Sequence, residues 1–280
     1  MDFVTRPFRS LDAWVRHLSA IDIPVLPATA ALIAELTSEV ETTDAQTIAR
    51  IVSDDPLMSV KLYRLVAERR GRRQLTDIET IAGCVVMLGV PPFFEAFQDL
   101  RPVTEHFHTD MQAQLHLLGV LKRSRRAANH AAAWAVRRQD LDHEVIRTAA
   151  LLHDFAEMLL WCSAPELARE IARRQADNPG LRSVEAQKAV LGTTLNELEA
   201  ALLKRWGLPE LLIRIVDDSV SGDVQERNVT LAVALARHSS KGWDDPALPD
   251  DFAALGRLLN VSPARAQEIV EEEEAFAWES

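Results

Sequence analysis

The sequence predicts an all-α protein, and three observations support this. Ala, Leu, Glu, Arg and Val, most of which favour helix, dominate the composition. Only 10 glycines and 13 prolines occur in 280 residues, which leaves little room for long flexible segments. No alternating apolar–polar pattern of useful length indicates a strand. Helix starts and stops, in contrast, can be identified at several places along the chain.

The first clear helix start is the pair Asp55-Pro56. Asp favours the N-cap position, and Pro fits the first helical position because the missing N–H has no partner there anyway. The apolar residues that follow lie on one helical stripe: Met58, Leu62, Leu65 and Val66. A second helix is expected to open with a Thr76–Glu79 capping box and to end at Gly89, before two prolines.

The same signals recur near the C-terminus. Thr194 and Glu197 form a capping-box pattern, Gly207 marks a stop, and Pro209 restarts a helix through about residue 218. Ser262-Pro263 starts a last helix that runs into an acidic tail at residues 271–274.

The mildest compositional breaks fall at residues 101–108 and 219–226. They predict an N-terminal helical subdomain over about 15–105, a second over 110–220, and a C-terminal helical extension over 221–280. The apolar stretch 252–259 indicates that the extension packs on something, but not on what.

Charge and composition exclude some functions and locations. The net charge of −11 argues against nonspecific nucleic-acid binding, which needs a basic face. Cys84 and Cys162 lie in apolar helical runs without metal-ligand spacing, so we expect reduced core thiols. The N-terminus lacks a signal pattern and no apolar segment approaches 18 residues. We expect a cytoplasmic protein without a membrane segment.

Two arginine clusters have two interpretations. The first contains Arg69, Arg70, Arg72 and Arg73 after a helix, and the second spans 121–126 within one. Each can be a solvated helix surface with charge that favours a helix C-terminus. Alternatively, each can contact a phosphate, a nucleotide or an acidic partner.

His153-Asp154 interrupts the apolar run from Ile146 to Trp161. We expect the pair inside one buried helix, where adjacent side chains point about 100° apart and cannot surround a metal ion alone. A hydrolytic metal site needs at least three protein ligands, so the others would have to come from neighbouring helices. The remaining histidines lack carboxylates at metal-binding spacing and are expected to be surface or satisfied core residues.

The pair with its flanks resembles the central motif of HD-superfamily phosphohydrolases, and more of the chain resembles the HDOD domain, an HD-related output domain of bacterial signalling proteins. Four segments in order carry the resemblance, over about residues 15–220: the Leu-Pro segment 23–36, the Asp-Pro helix 48–66, the helix ending in Leu-Gly at 75–90, and the Trp-x-Leu-Pro segment 191–216. The usual Asn-Ser after the Asp-Pro helix is Ala67-Glu68 here. The resemblance implies two packed helical subdomains, the second HD-domain-like.

The resemblance also implies where metal ligands would lie. The first HD histidine aligns with Arg123, beside Ser124, and the later acidic position with Asp217 or Asp218. A related branch of the family has extra histidines, and the resemblance places Leu195 and Asp217-Asp218 at those positions. The lysine that often follows the His-Asp pair in the family corresponds to Glu157 here. A guanidinium stays protonated and has no lone pair for a metal. We therefore expect a vestigial site in which Arg123 pairs with Asp154 and replaces the cation.

A divalent metal at His153 and Asp154, completed by Asp218 and a shifted His130, is the alternative. His130 lies two helical turns beyond Arg123, about 10 Å along the axis. The favoured function is a noncatalytic regulatory module without a cofactor, which binds an unidentified signalling protein or a small nucleotide. The rival is a metal-dependent phosphohydrolase on nucleotides or cyclic dinucleotides, and a nucleic-acid binder is a third option that the charge disfavours. The sequence leaves the oligomeric state open.

Overall fold

The computed structural model describes residues 3–70, 79–178, 180–206, 208, 213–214 and 223–277. Across these residues there are helices and no strands, apart from one isolated bridge between Val25 and Pro102. The all-α prediction is confirmed. No helix in the described ranges has both the length and the apolar character needed to cross a membrane.

Sixteen α-helices follow one another along the described part of the chain. They are α1 Leu11–Ala20, α2 Pro27–Leu36, α3 Ala45–Ser53, α4 Pro56–Arg70, α5 Ile81–Leu88, α6 Val90–Ala96, α7 Val103–His106, α8 Met111–Arg137, α9 His143–Leu152, α10 Phe155–Ser163, α11 Pro165–Asp177, α12 Ser183–Leu191, α13 Leu195–Trp206, α14 Val224–His238, α15 Leu248–Leu259 and α16 Pro263–Ala277. Short 3-10 turns follow α2 and α14, at Thr37–Glu39 and Ser239–Lys241.

Backbone contacts divide the chain into two compact units. One contains residues 1–121 and 154–213, and the other contains 122–153 and 214–280. Neither unit is one continuous stretch of sequence. The division into 15–105, 110–220 and 221–280 stays a prediction about how the chain is organised along its length.

Several helix starts are set by the residues that the sequence indicated. Asp55 accepts hydrogen bonds from the backbone of Leu57 and Met58 at the start of α4, at 2.9 and 3.1 Å. Ser262 accepts one from Arg265 N–H at 3.2 Å at the start of α16. Both predicted starts are confirmed.

Of three further predictions about helix ends, the structure describes the residues of one. The reciprocal box at α13 is confirmed, because Thr194 Oγ1 accepts from Glu197 N–H and Glu197 Oε2 accepts from Thr194 N–H. The predicted start at Thr76 falls within residues 71–78, which lie outside the described ranges. Helix α5 begins only at Ile81, where Thr80 is the N-cap and accepts from Gly83 N–H. The predicted Gly207 stop and Pro209 restart also lie outside the described residues.

The first unit is built around α10, whose residues are almost all buried. It packs against α1, α4, α11 and α13. Trp14 of α1 is fully buried, and its indole N–H donates to the Leu191 carbonyl at 3.2 Å. At the other end of α1, Arg64 of α4 donates to the carbonyl of Ile21 at 3.0 Å. Long-range polar contacts thus fix α1 at both ends.

The second unit has α14 at its centre, packed on α9 and on α15, and α15 in turn packs on α16. Phe252 and Leu255 of α15 are buried. The buried Asn228 of α14 donates to the carbonyl of Ala131 in α8 at 3.1 Å. Residues after 223 therefore supply much of the core of this unit, which answers what the apolar stretch 252–259 packs on.

Candidate functional site

His153 and Asp154 lie at a junction between two helices, not inside one. Helix α9 ends at Leu152 and α10 begins at Phe155. Asp154 has φ −106° and ψ 20°, outside helical geometry. The expectation of one continuous helix is wrong. No sequence signal indicates this break, because no glycine or proline marks it and apolar residues continue on both sides.

The predicted vestigial residues lie in different environments. His153 is buried, whereas Asp154 and Arg123 are half-buried. Each of these three side chains has an interaction within the chain. The ion pair between Arg123 and Asp154 stays a prediction. Asp217 and Asp218 lie outside the described residues.

No metal-binding cluster is found in the part of the chain that the structure describes. Groups of three or more His, Cys, Asp or Glu side chains that could hold a metal ion are absent there. This finding covers His130, His153 and Asp154, but it does not extend to Asp217 and Asp218.

His130 has a different role from the shifted metal ligand that the sequence left open. Its Nδ1 lies 2.8 Å from Glu273 Oε2, and its Nε2 lies 3.0 Å from Glu274 Oε1. Ionised carboxylates only accept hydrogen bonds, so both ring nitrogens must donate, and the ring is then an imidazolium. In this form neither nitrogen has a lone pair for a metal.

The electrostatics of His130 agree with this protonation state. Burial alone would lower its pKa, but hydrogen bonds to Glu273 and Glu274 and the charges of both carboxylates raise the pKa above its ordinary value. Burial would raise the pKa of Glu274, but hydrogen bonds from His130 and Arg126 lower it to about 2. The cation and the carboxylates stabilise each other's charged forms.

Arg126 lies one turn before His130 on α8 and binds the same carboxylate. Its Nε lies 2.5 Å from Glu274 Oε1. Its guanidinium also lies over the half-exposed ring of Trp243, 5.0 Å from the centroid, and lies 3.4 Å from the Ser239 carbonyl. We call Arg126, His130, Glu273 and Glu274 the histidine clasp.

The sequence did not reveal the clasp. Its partners are 143 and 144 residues from His130, and the acidic run looks like a solvated tail. The only local signal is the spacing of Arg126 and His130, which places both on one face of α8. Part of the second arginine cluster therefore has an acidic partner within the same chain.

The first arginine cluster is only partly visible. Arg69 is exposed in the last turn of α4, and Arg70 is the last residue of that helix. Arg72 and Arg73 lie outside the described residues. A role for this cluster in binding an anionic ligand stays a prediction.

Three other histidines make contacts within the chain. Buried His106 donates through Nε2 to the carbonyl of Cys162 at 2.7 Å, and burial lowers its pKa. His238 lies 2.6 Å from Asp251 through Nδ1. His116 stacks on Trp161 with ring centroids 4.7 Å apart. None of these contacts indicates chemistry.

Comparison with known families decides the relationship. The sequence profile of the HDOD domain matches residues 23–220. The chain belongs to the HDOD family. No protein of curated function matches its sequence.

Two solved structures are similar to this chain in fold. The MmoQ response regulator of Methylococcus capsulatus has 20% identity and a TM-score of 0.65, with 88% of this chain and 98% of that one covered. A virulence factor of Campylobacter jejuni has 18% identity and a TM-score of 0.65, with 90% of each chain covered. At such identities the similarity extends to the fold alone.

Proposed function

We propose that this HDOD chain is a noncatalytic regulatory module of bacterial signal transduction, located in the cytoplasm. It acts by binding a signalling protein or a small nucleotide, and not by hydrolysis. The observation that carries the proposal is that both ring nitrogens of His130 lie within hydrogen-bond distance of carboxylates, at 2.8 Å from Glu273 and 3.0 Å from Glu274.

The reasoning rests on the number of available lone pairs. A hydrolytic HD site needs at least three protein ligands and an open position for water. Arg123 occupies the position of the first histidine and has no lone pair to offer. His130 is the nearby imidazole that could replace it, and as an imidazolium it cannot bind a metal. His153, Asp154 and the acidic pair at 217–218 then remain without the first imidazole.

The family supports a regulatory role. The chain belongs to the HDOD family, whose members are output domains of bacterial signalling proteins. One structure with a similar fold carries the name of a response regulator. We propose that the surface around Arg123, His153, Asp154 and Asp218 recognises the partner. The arginines at 69, 70, 72 and 73 are a second candidate surface for an anionic ligand.

Metal analysis of the purified full chain tests the noncatalytic assignment. After incubation with Mn²⁺, Fe²⁺ or Zn²⁺ and dialysis, we expect no stoichiometric metal that depends on His153, and no hydrolysis of cyclic dinucleotides or of a simple phosphodiester. Arg123→His restores an imidazole and should increase metal retention. Metal that wild type binds and His153→Ala loses, together with turnover, would contradict the proposal.

Cross-linking in the native host tests the binding role. A specific partner should be captured by wild type and lost with the double substitution Arg123→Ala and Asp154→Ala. Arg69→Ala changes an exposed residue of the second candidate surface instead. If the vestigial surface is responsible, this variant should capture the partner as wild type does. If both variants capture the partner as well as wild type does, the vestigial surface is not where the partner binds.

A further inference from the structure

We propose that His130 makes the docking of helix α16 on helix α8 pH-dependent: the clasp is closed while the imidazole is cationic and opens when it loses a proton. This inference goes beyond the proposed function, although both start from the contacts of His130 with Glu273 and Glu274.

The geometry creates the dependence because the two ring nitrogens face two different carboxylates. A neutral imidazole keeps one N–H, so it can donate to Glu273 or to Glu274, but not to both. The other nitrogen then presents its lone pair to a carboxylate oxygen, which is repulsive. His130 is only 3% exposed, so water has little access to separate the two groups.

Glu273 depends on this proton more than Glu274 does. Glu274 also receives a hydrogen bond from Arg126. Glu273 Oε1 is buried and has no hydrogen-bond partner among the described residues. The guanidinium of Arg137 lies near this oxygen, with its Nε 3.6 Å away. Loss of the His130 proton therefore leaves a carboxylate that is largely removed from water with weak compensation, which is costly.

The charged groups around His130 come from both helices. Helix α8 supplies Arg126 and Arg137, and α16 supplies Glu273 and Glu274, with Glu272 3.8 Å from Arg137. The neutral ring of Trp134 stacks on His130 with centroids 5.6 Å apart. The segment after α14 contributes Trp243 and the Ser239 carbonyl, both to Arg126. His130 is the group in this set whose ordinary pKa lies near neutral pH.

The direction of the effect follows from the raised pKa of His130. Its contribution to docking is fully present below the ordinary value of 6.5 and is lost as the pH rises through the higher value in the folded chain. On the acid side, the pKa of Glu274 is lowered to about 2 from 4.5, so its contribution is lost only as the pH falls through about 2. The clasp therefore opens on the alkaline side.

Opening should free only the last turns of α16. The earlier part of this helix is held by apolar residues that stay buried, namely Ala266, Ile269 and Val270. Once the carboxylates leave, Arg126 and Arg137 on α8 lose their internal counter-ions. The device thus frees two guanidinium groups from their carboxylate partners as the pH rises.

Two measurements on the full chain test the proposal. NMR of histidine-labelled protein gives the pKa of His130, which we expect above 6.5. Hydrogen exchange of the backbone amides of residues 271–275, corrected for intrinsic rates, reports whether the last turns of α16 are docked between about pH 6 and pH 9. We expect protection to fall in step with His130 titration, by about tenfold for each unit by which its pKa exceeds 6.5.

Variants separate the clasp from other titrating groups. His130→Gln should leave low protection that no longer changes with pH. Glu273→Gln keeps an acceptor oxygen but removes one charge, so the pKa of His130 should fall and protection should be lost at lower pH, by roughly one unit. His238→Gln is the matched control, because His238 also pairs with a carboxylate in this unit, and it should leave the profile unchanged.

Either of two results would overturn the proposal. In the first, His130 of wild type titrates while the protection of residues 271–275 stays constant. In the second, His130→Gln keeps the wild-type pH dependence. If His130→Gln fails to fold, Glu273→Gln decides the question, because an unchanged pH midpoint in that variant would contradict the clasp.

Discussion

Asp55 and Leu26 are joined by a hydrogen bond across 29 positions of sequence: the Leu26 N–H donates to Asp55 Oδ2 at 2.7 Å. The other carboxylate oxygen accepts from the N–H groups of Leu57 and Met58. One buried side chain therefore anchors the starts of α2 and α4, since Pro27 follows Leu26 and Pro56 follows Asp55. The Leu-Pro and Asp-Pro motifs that carry the family resemblance form one structural unit.

Asp55→Asn should destabilise the protein although it keeps the shape of the side chain. Asp55 is fully buried, and both its oxygens accept from backbone N–H groups. The NH₂ group of Asn would have to face one of these donors. We expect the free energy of unfolding, from urea denaturation, to fall by about 1–3 kcal/mol.

The neighbouring residue provides the control for this prediction. Asp54 is exposed at the end of α3. Asp54→Asn should change the free energy of unfolding by less than about 0.5 kcal/mol. Equal losses for the two substitutions would mean that the hydrogen bond to Leu26 is not what stabilises this region.

Local signals explain why much of the fold could be predicted. Asp55-Pro56, the Thr194–Glu197 box and Ser262-Pro263 all act within three or four positions, where capping geometry is fixed by the backbone. At the start of α5, Thr76 and Thr80 both fit the N-cap preference, and Thr76 lies outside the described residues. The structure places Thr80 at the cap, with its side chain accepting from Gly83 N–H at 3.1 Å.

The candidate site was harder to predict because its contacts are not local. The composition of the run around His153 is apolar on both sides, so periodicity could not locate the junction between α9 and α10. The His130 contacts join residues more than 140 positions apart. Nothing within one helical turn of His130 indicates that Glu273 and Glu274 would bind both of its nitrogens.

Thr194→Ala should weaken α13 by removing half of its capping box. Thr194 Oγ1 accepts from Glu197 N–H at 3.0 Å, and that donor would lose its partner at the helix start. The expected loss of unfolding free energy is about 1 kcal/mol. Thr42→Ala is a suitable comparison, because the exposed Thr42 hydroxyl donates to the Glu39 carbonyl in a turn without capping a helix.

Glu197 gives the same box an acid limit. Hydrogen bonds from the Thr194 backbone and the Thr193 hydroxyl lower the pKa of Glu197. Its contribution to stability is present above the ordinary value of 4.5 and is lost as the pH falls through the lower value in the folded chain. Glu197→Gln should flatten this part of the stability profile, measured by urea denaturation at a series of acid pH values, and an unchanged profile would contradict the role of the box.

Both thiols should be inert in the native protein. Cys84 and Cys162 are buried and are not joined in a disulfide. Burial raises the pKa of Cys162, and the nearby charge of Asp55 raises it further, so the reactive thiolate is scarce. A thiol reagent at about pH 8 should label neither cysteine until urea unfolds the chain, and then both. Rapid labelling of one equivalent in the native state would show that a core helix opens readily.

Two helical glycines should respond in opposite directions to replacement by alanine. Gly119 is an exposed residue of α8, and a Cβ there would meet nothing within 4 Å. Gly119→Ala should therefore raise the free energy of unfolding by about 0.5–1 kcal/mol through the lower entropy of the unfolded chain. A Cβ at Gly256, in α15, would lie 2.8 Å from the backbone carbonyl oxygen of Val261. Because backbone at the turn into α16 cannot move aside as a side chain can, Gly256→Ala should destabilise by about 1–3 kcal/mol. Urea denaturation of the two variants in parallel provides the measurement, and a gain in stability at both positions would show that α15 does not approach the turn this closely.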